Sequence, residues 1–331
     1  SRDSLRIYIA YGTHFRQSEK ESLSTYGPVY RRYHFVHHNC DDKALFEDLG
    51  TTFRGTRITL RKELLRSTFI ITFGAISHHY FAGYGGGRKL IFPGLGFRDS
   101  IYQNHSLFLD KKMETLCLEC GPGMLKGNPV AEDLDEIEDR FSAHLGVHGI
   151  LDENGRVCDI YLGRGRKEFL KACTAHAGNC EIPCKEAFDL VVASAGGNPK
   201  DINFIQSHKA VENAAKFVRD NGILILFARC PDGIGSSTFL SWFERNSFKE
   251  SFQRLSKAYE GNGGTALSMM IKSRRISIFM ITDLEDSICR NMGIRKISRK
   301  KAQEMIDIEK GRIAVIPNAG LVVRIPIGIS N

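Results

Sequence analysis

The segment from Ser77 to Lys89 combines residue types that suit proton transfer and anion binding. It contains two adjacent histidines, a run of three glycines and a basic pair, namely His78, His79, Gly85, Gly86, Gly87, Arg88 and Lys89. Imidazole transfers protons near neutral pH and binds metals. Consecutive glycines let backbone N–H groups approach an anion closely, and the basic pair adds positive charge. The segment lacks the Gly-Lys-Ser/Thr of a Walker loop and is not G-x-G-x-x-G before a helix. We therefore predict a functional loop rather than a plain glycine turn.

Two further histidines and one polar pair stand at positions suited to the same chemistry. His14 follows the first predicted strand, and His105 lies sixteen residues after Lys89. Gln206 and Lys209 are spaced i and i+3, so they share one face at the start of a predicted helix. Lys209 can meet a carboxylate or a phosphate there. Taken singly, each of these residues is also compatible with an ordinary surface or core role.

The cysteines suggest a second, weaker interpretation. Four thiolates could hold zinc tetrahedrally, and the chain contains a C-x-x-C and a C-x-x-x-C pair, formed by Cys117, Cys120, Cys180 and Cys184. The pairs lie about sixty residues apart, which is far beyond the usual spacing of zinc ligands. Nine cysteines in total is an odd number. They are better interpreted as reduced thiols of a cytoplasmic protein.

Composition excludes several classes of protein. The chain has 331 residues, 42% hydrophobic and 25% charged, with a net charge of +8. No apolar run is long enough to span a membrane, and the first residues lack the apolar core of a secretory signal. The basic residues are scattered and accompany no nucleic-acid motif. We therefore expect no membrane or nucleic-acid partner, a cytoplasmic location, and an anionic small-molecule ligand.

Alternating apolar runs and helical patterns predict an α/β fold with largely parallel sheets. The predicted strands are Leu5–Ala10, Phe69–Phe73, Leu90–Phe92, Leu190–Ala193, Ile223–Ala228, Ile276–Ile281 and Arg312–Ile316, and the predicted helices are Gln206–Asp220, Ser237–Lys257 and Lys300–Glu309. A break over residues 177–186 separates a first α/β domain (1–176) from a second, Rossmann-like domain (187–321). Residues 322–331 are expected to return to the first domain. The active site is expected in the crevice between the two domains.

The motif residues resemble those of a known enzyme family. His78-His79-Tyr80-Phe81-Ala82-Gly83-Tyr84, the glycines, Arg88-Lys89 and Pro93-Gly94 are similar to the signature of the nickel-pincer lactate racemases. The similarity also includes, in the same order, Gly12-Thr13-His14, Asn104-His105, Gly127-Asn128-Pro129-Val130, Gln206-x-x-Lys209 and Asp232-Gly233-Ile234-Gly235. Matching motifs are thus distributed over most of the chain.

The resemblance implies racemisation of a 2-hydroxy acid by hydride transfer through a 2-oxo acid intermediate. It implies a nickel pincer nucleotide, a pyridinium mononucleotide tethered to Lys89, with His105 as the protein ligand to nickel. His14 and His79 would be the paired acid–base groups, while Gly85, Gly86, Gly87 and Arg88 would surround the cofactor. Gln206 and Lys209 would contact the anionic substrate. The proteins that make the cofactor would be partners.

The chain also departs from the family pattern. The family's N-terminal segment, with an Asp-x-Thr-Arg motif that helps hold cofactor phosphate and substrate carboxylate, would lie upstream of Ser1, so we expect the first domain to be incomplete relative to the family. Gly85 replaces a common serine, and no tryptophan stands near Gly263–Ala266, since the single Trp242 lies elsewhere. A substrate other than lactate is therefore compatible with the sequence. Alternatives are a non-catalytic small-molecule or phosphate-binding relative, an inactive fragment of the racemase, or a nicotinamide-dependent oxidoreductase, which lacks its fingerprint here.

Overall fold

The computed structural model describes residues 4–244 and 247–325, which divide into two compact units. The first unit contains residues up to Phe108 together with Glu119–His176, and the second contains Leu109–Leu118 and the chain from Ala177 onward. The strands are β1 Arg6–Ile9, β2 His34–His37, β3 Phe46–Thr51, β4 Arg57–Arg61, β5 Ile71–Ala75, β6 Ser77–His79, β7 Gly83–Gly85, β8 Leu109–Asp110, β9 Thr115–Leu116, β10 Leu145–Leu151, β11 Val157–Gly163, β12 Glu181–Pro183, β13 Phe188–Ser194, β14 Val218–Phe227, β15 Ser277–Ile281, β16 Ile294–Lys296, β17 Ile313–Ile316 and β18 Val323–Ile325. The helices are α1 Glu19–Tyr26, α2 Pro28–Arg32, α3 Lys62–Leu65, α4 Arg98–Ser106, α5 Pro129–Arg140, α6 Arg166–Cys180, α7 Phe204–Ala214, α8 Phe248–Lys257, α9 Gly263–Arg275, α10 Asp286–Asn291 and α11 Arg299–Ile308.

The first unit is built from small sheets that carry the histidine-rich hairpin. β1 and β2 pair in parallel, and the three-stranded sheet has the order β11-β10-β5, with β5 parallel to β10. β6 and β7 form an antiparallel hairpin directly after β5. One face of the three-stranded sheet packs on α6 through Ile76, Ile150, Phe169 and Cys173, each at most 3% exposed. This core fixes the strand that leads into the hairpin.

The second unit contains a five-stranded parallel sheet in the order β16-β15-β14-β13-β17. Its central strands contain continuous apolar runs, such as Leu190–Ala193 and Ile223–Phe227, as expected where helices cover both faces. The strand order reverses between β13 and β17, which is the topological switch point of a doubly wound fold. The prediction of an α/β fold with largely parallel sheets and a Rossmann-like second part is confirmed.

Several predicted elements differ from the structure. Leu90–Phe92 is not a strand, because Leu90 ends a 3₁₀ helix and the N–H groups of Ile91 and Phe92 both donate to the Arg88 carbonyl. The helix predicted to extend to Asp220 ends at Ala214, and β14 begins at Val218, four residues later. The helix predicted over Ser237–Lys257 is a short 3₁₀ turn followed by α8, which Ser247 caps. Apolar content alone does not distinguish these backbone shapes.

The predicted linker and the predicted chain return can both be located in the structure. Residues 177–186 include the end of α6 and all of β12, and the division between the two compact units falls between His176 and Ala177. β18 pairs in parallel with β12 inside the second unit. The described part of residues 322–331 therefore returns to the second unit and not to the first. Residues 326–331 lie outside the described residues.

Candidate functional site

Phe81 is the residue around which the candidate groups of the first unit gather. It is 3% exposed. Its ring centroid lies 4.6 Å from that of His79 and 5.0 Å from that of His105, both edge to face, and 5.8 Å from the Lys89 Nζ. Three of the sequence-predicted residues therefore lie around one aromatic ring. The sequence analysis included Phe81 only as one residue of the motif. Nothing in the neighbouring sequence indicates that its ring contacts His105 on α4, 24 positions later.

Asn128 holds the Phe81 loop in place. Its fully buried side chain caps α5 by accepting from the N–H groups of Val130 and Ala131, while its Nδ2 donates to the carbonyls of Phe81 (2.8 Å) and Met124 (2.9 Å). One amide thus joins the start of a helix to the hairpin loop. Asn128 is a positioning residue that sequence reasoning did not select as part of the site.

The two adjacent histidines face different surroundings because neighbouring strand residues point to opposite sides. The Ala82 N–H group donates to His79 Nδ1 at 3.2 Å, which orients that ring. The His78 ring instead packs 4.8 Å from His176 and 5.0 Å from Tyr84. His79 and not His78 therefore belongs to the cluster around Phe81.

The glycine run shapes the turn that presents Lys89. Gly86 and Gly87 have positive φ angles of 77° and 52°. A Cβ atom would lie 2.4 Å from the Ala75 carbonyl oxygen at Gly86, and 2.3 Å from the Phe169 ring at Gly87. Both positions therefore require glycine for backbone conformation and close packing. Gly85 sits in β7 at an ordinary φ, opposite Ser77.

Burial changes the chemistry of Lys89. Removal from solvent, reinforced by the positive charge of Arg88, lowers the pKa of the Lys89 amine from 10.5 to about 7. A large share of the amine is therefore the neutral, nucleophilic form near physiological pH. The side chain is only partly exposed and lies beside the Phe81 ring.

His105 lies in the last turn of α4 and shares this environment. Burial, then the positive charges of Lys89 and His14, lowers the pKa of His105 from 6.5 to about 3. The imidazole is therefore neutral, which is the form that binds a metal. His14 is exposed, in the turn after β1. That turn is joined to the Lys89 turn because the Gly12 N–H donates to the Gly94 carbonyl and the Gly94 N–H to the Lys89 carbonyl, both at 2.9 Å.

Arg88, which the sequence analysis placed at the cofactor, makes contacts within the first unit. Its Nε lies 2.8 Å from Asp135 Oδ1, and its guanidinium stacks 4.9 Å from the Phe169 ring centroid. The residue is 5% exposed. The guanidinium thus forms an ion pair with a half-buried carboxylate on α5, within the first unit.

Gln206 and Lys209 lie in the first turns of α7, in the second unit. The Lys209 Nζ donates to Gln206 Oε1 at 2.9 Å, so the i, i+3 pair predicted from the sequence forms. Asn203 caps the helix by accepting from the Gln206 N–H. α7 follows β13. The residues after β13 lie close to those after β17, as a Cβ added at Gly196 would be 2.7 Å from Asn318 Oδ1. The pair thus stands on the helix that follows the switch point, where ligands of doubly wound folds bind.

The zinc interpretation finds no support in the structure. Among residues 4–244 and 247–325, no three His, Cys, Asp or Glu side chains come together in a way that could hold a metal ion. Cys120 instead donates its thiol to Asn128 Oδ1. Within the same residues, no helix is both long and apolar enough to cross a bilayer.

The chain is similar to known lactate racemases in sequence. The family models described as Lactate racemase N-terminal domain and Lactate racemase C-terminal domain match residues 1–116 and 184–325. The lactate racemase of Thermoanaerobacterium thermosaccharolyticum is 28% identical over 245 residues, which cover 73% of this chain and 56% of that protein. The lactate racemase of Lactiplantibacillus plantarum is 25% identical over 238 residues, 71% of this chain and 54% of that protein. The chain thus spans about half the length of these curated relatives.

Solved structures show the same fold. The lactate racemase apoprotein from T. thermosaccharolyticum aligns with a TM-score of 0.89 at 24% identity, over 97% of this chain and 78% of that chain. A Thermotoga maritima protein aligns with a TM-score of 0.70 at 14% identity, over 97% of this chain and 85% of that chain. With both domain models matched in order and the motif histidines and lysine gathered around Phe81, the chain belongs to the lactate racemase family.

Proposed function

We propose that this protein is a racemase of a small 2-hydroxy acid that works with a nickel pincer nucleotide tethered to Lys89. The observation that carries the proposal is the cluster around Phe81. It combines a lysine whose pKa of about 7 leaves roughly half of the amine neutral at pH 7 with a histidine that stays neutral at any physiological pH.

The residues of the cluster fit the chemical demands of that cofactor. A covalent thioamide tether requires an uncharged amine, and the lowered pKa of Lys89 provides one. A neutral imidazole suits nickel, and burial keeps His105 in this form. Lys89 would hold the nucleotide and His105 the metal. When bound, the pincer nucleotide supplies an electrophilic centre that accepts and returns hydride.

The side chains of this protein would move the proton. The α-hydrogen of a 2-hydroxy acid is too weakly acidic for an ordinary side-chain base, so its removal as hydride avoids a carbanion. A histidine then takes the hydroxyl proton, which leaves a planar 2-oxo acid. Return of hydride to the opposite face requires a proton from a second group. We assign these two roles to His79, oriented by the Ala82 N–H, and to His14, each acting as base in one direction and as acid in the other.

We also propose that the paired Gln206 and Lys209 contact the substrate. An ammonium held by a neighbouring amide offers a carboxylate both a charge and hydrogen bonds. Lys209→Met should raise KM for the 2-hydroxy acid more than it lowers kcat, since binding charge is lost and the proton-transfer groups remain. Equal kinetics for Lys209→Met and the unaltered protein would contradict this role.

The decisive experiment is cofactor loading followed by a chiral assay. The chain is co-produced with cofactor-making proteins, and its intact mass and nickel content are measured. We expect a nucleotide-sized mass increase and about one nickel per chain, both lost in Lys89→Ala and retained in the exposed control Lys126→Ala. Loaded protein should convert one lactate enantiomer into the other, and His79→Gln should lower that rate by roughly 100-fold or more. An unmodified mass, beside a loaded reference racemase, would refute the proposal.

A further inference from the structure

The three-stranded sheet of the first unit carries apolar side chains on its open face as well as on its packed face. Strands β5, β10 and β11 send successive side chains to opposite sides. One side packs on α6 and is buried. The other side carries apolar residues too, and it is open to solvent as far as the described residues show. A sheet with one solvated face ordinarily carries polar residues on that face.

The strand register assembles the outward residues into continuous rows. The rows are Ile71–Leu145, Phe73–Val147–Leu162 and Ala75–Gly149–Ile160. No charged or polar side chain interrupts them. We call these residues, with the flanking Phe69 and Val157, the outer sheet face.

The outer sheet face exposes an unusual amount of apolar surface. Its most exposed members are Phe69 (60%), Ile71 (56%), Phe73 (78%), Val157 (58%), Ile160 (52%) and Leu162 (59%). Since a large apolar side chain presents roughly 150–200 Å² when fully exposed, these six together present about 650 Å². The largest apolar patch of a typical monomer is about 300–600 Å², and larger patches mark interaction surfaces.

We propose that the outer sheet face is the interface between two copies of this chain, packed sheet against sheet about a two-fold axis. A standard interface buries about 800 Å² on each partner, which this face and a narrow rim would supply. The chain carries a net charge of +8, so copies repel through most of their surface, whereas this face brings no like charges together. Apolar sheets pack face to face with aligned strands, and a two-fold contact needs only a self-complementary patch.

The test is the association state of the full chain in solution. Sedimentation velocity from about 1 to 100 μM should show a species of twice the chain mass. Phe73→Asp places a carboxylate in the central row and should raise the dimer dissociation constant on the order of 100-fold. Phe53→Asp is the matched control, because Phe53 is 93% exposed in the turn between β3 and β4, outside the face. It should leave the dissociation constant unchanged.

A second variant, on another strand, tests whether the effect of Phe73→Asp is confined to position 73. Leu162→Lys should also weaken the dimer, and circular dichroism should show both variants folded, since the substituted side chains are largely exposed. A monomeric wild-type chain throughout the concentration range would overturn the proposal and assign the face to another occupant, such as a chain segment present in longer relatives. Equal weakening by Phe53→Asp and Phe73→Asp would overturn it as well.

Discussion

The amine of Lys89 should titrate several pH units below that of an ordinary lysine. Its pKa lies at about 7, because burial and the positive charge of Arg88 both disfavour the ammonium form. At pH 7.5 about three-quarters of this amine is neutral, whereas an ordinary lysine with a pKa of roughly 10.4 is neutral in only about one molecule in a thousand. The difference is large enough to be measured at a single residue.

The assay is competitive labelling of the cofactor-free chain with a trace of an amine-selective anhydride between about pH 5.5 and 10. Peptide mass spectrometry then gives the labelling rate of each lysine. The rate at Lys89 should rise through a midpoint near pH 7 and level off above about pH 8. Surface lysines should continue to react faster up to at least about pH 9.5. Lys89→Arg removes the assigned peptide and verifies its identity.

A Lys89 profile that rises in parallel with the surface lysines would refute the reasoning. It would mean that the ammonium form is solvated in solution or paired with an anion. The neutral amine on which the proposed tether depends would then be scarce at physiological pH, and the fit between this site and the cofactor would be lost.

Three further predictions concern other parts of the structure. Burial and nearby positive charge lower the pKa of His105 to about 3. If His105 binds nickel as proposed, protonation should not release the metal between about pH 5 and 8, and metal analysis that shows release with a midpoint near 6.5 would contradict the shift. Asn128→Asp keeps the oxygen that caps α5 but loses the hydrogen bonds that the amide donates to Phe81 and Met124. Urea unfolding should therefore show a free energy of unfolding lower by about 2–3 kcal/mol. A decrease below about 0.5 kcal/mol would argue against the positioning role. Glu212→Gln leaves the buried ammonium of Lys272, which lies 2.6 Å from Glu212 and also contacts Ser268, without its countercharge. The free energy of unfolding should fall by about 3–5 kcal/mol, and adding Lys272→Met should recover much of this loss. Additive losses in the double variant would contradict a paired charge.

The parallel sheet of the second unit was predictable from the sequence. The runs in β13, β14, β15 and β17 are apolar and β-branched, and helical patterns separate several of them. Such continuous runs are stable only when both faces of the sheet are covered. The i, i+3 spacing also predicted that Gln206 and Lys209 share a helix face, because helix periodicity is a local property.

Other features depended on contacts that local patterns do not contain. The run Leu90–Phe92 is as apolar as a strand, yet it continues a turn in which Gly86 and Gly87 adopt positive φ angles and pack against Ala75 and Phe169. The local sequence around Arg88 also does not indicate its partner Asp135, which is 47 positions away in sequence and 2.8 Å away in space. Side-chain partners of this kind are set by packing between elements.

The sequence by itself determined which residue types were available for chemistry: two histidines, a lysine after a glycine turn, and a third histidine on a helix. The tertiary structure alone decided that Phe81 brings His79, Lys89 and His105 together, that His78 faces elsewhere, and that Asn128 holds the loop. It also decided the protonation states, because a pKa shift depends on the solvent and charge that surround a group after folding. Residue identity is local, whereas burial and proximity arise only when distant segments pack.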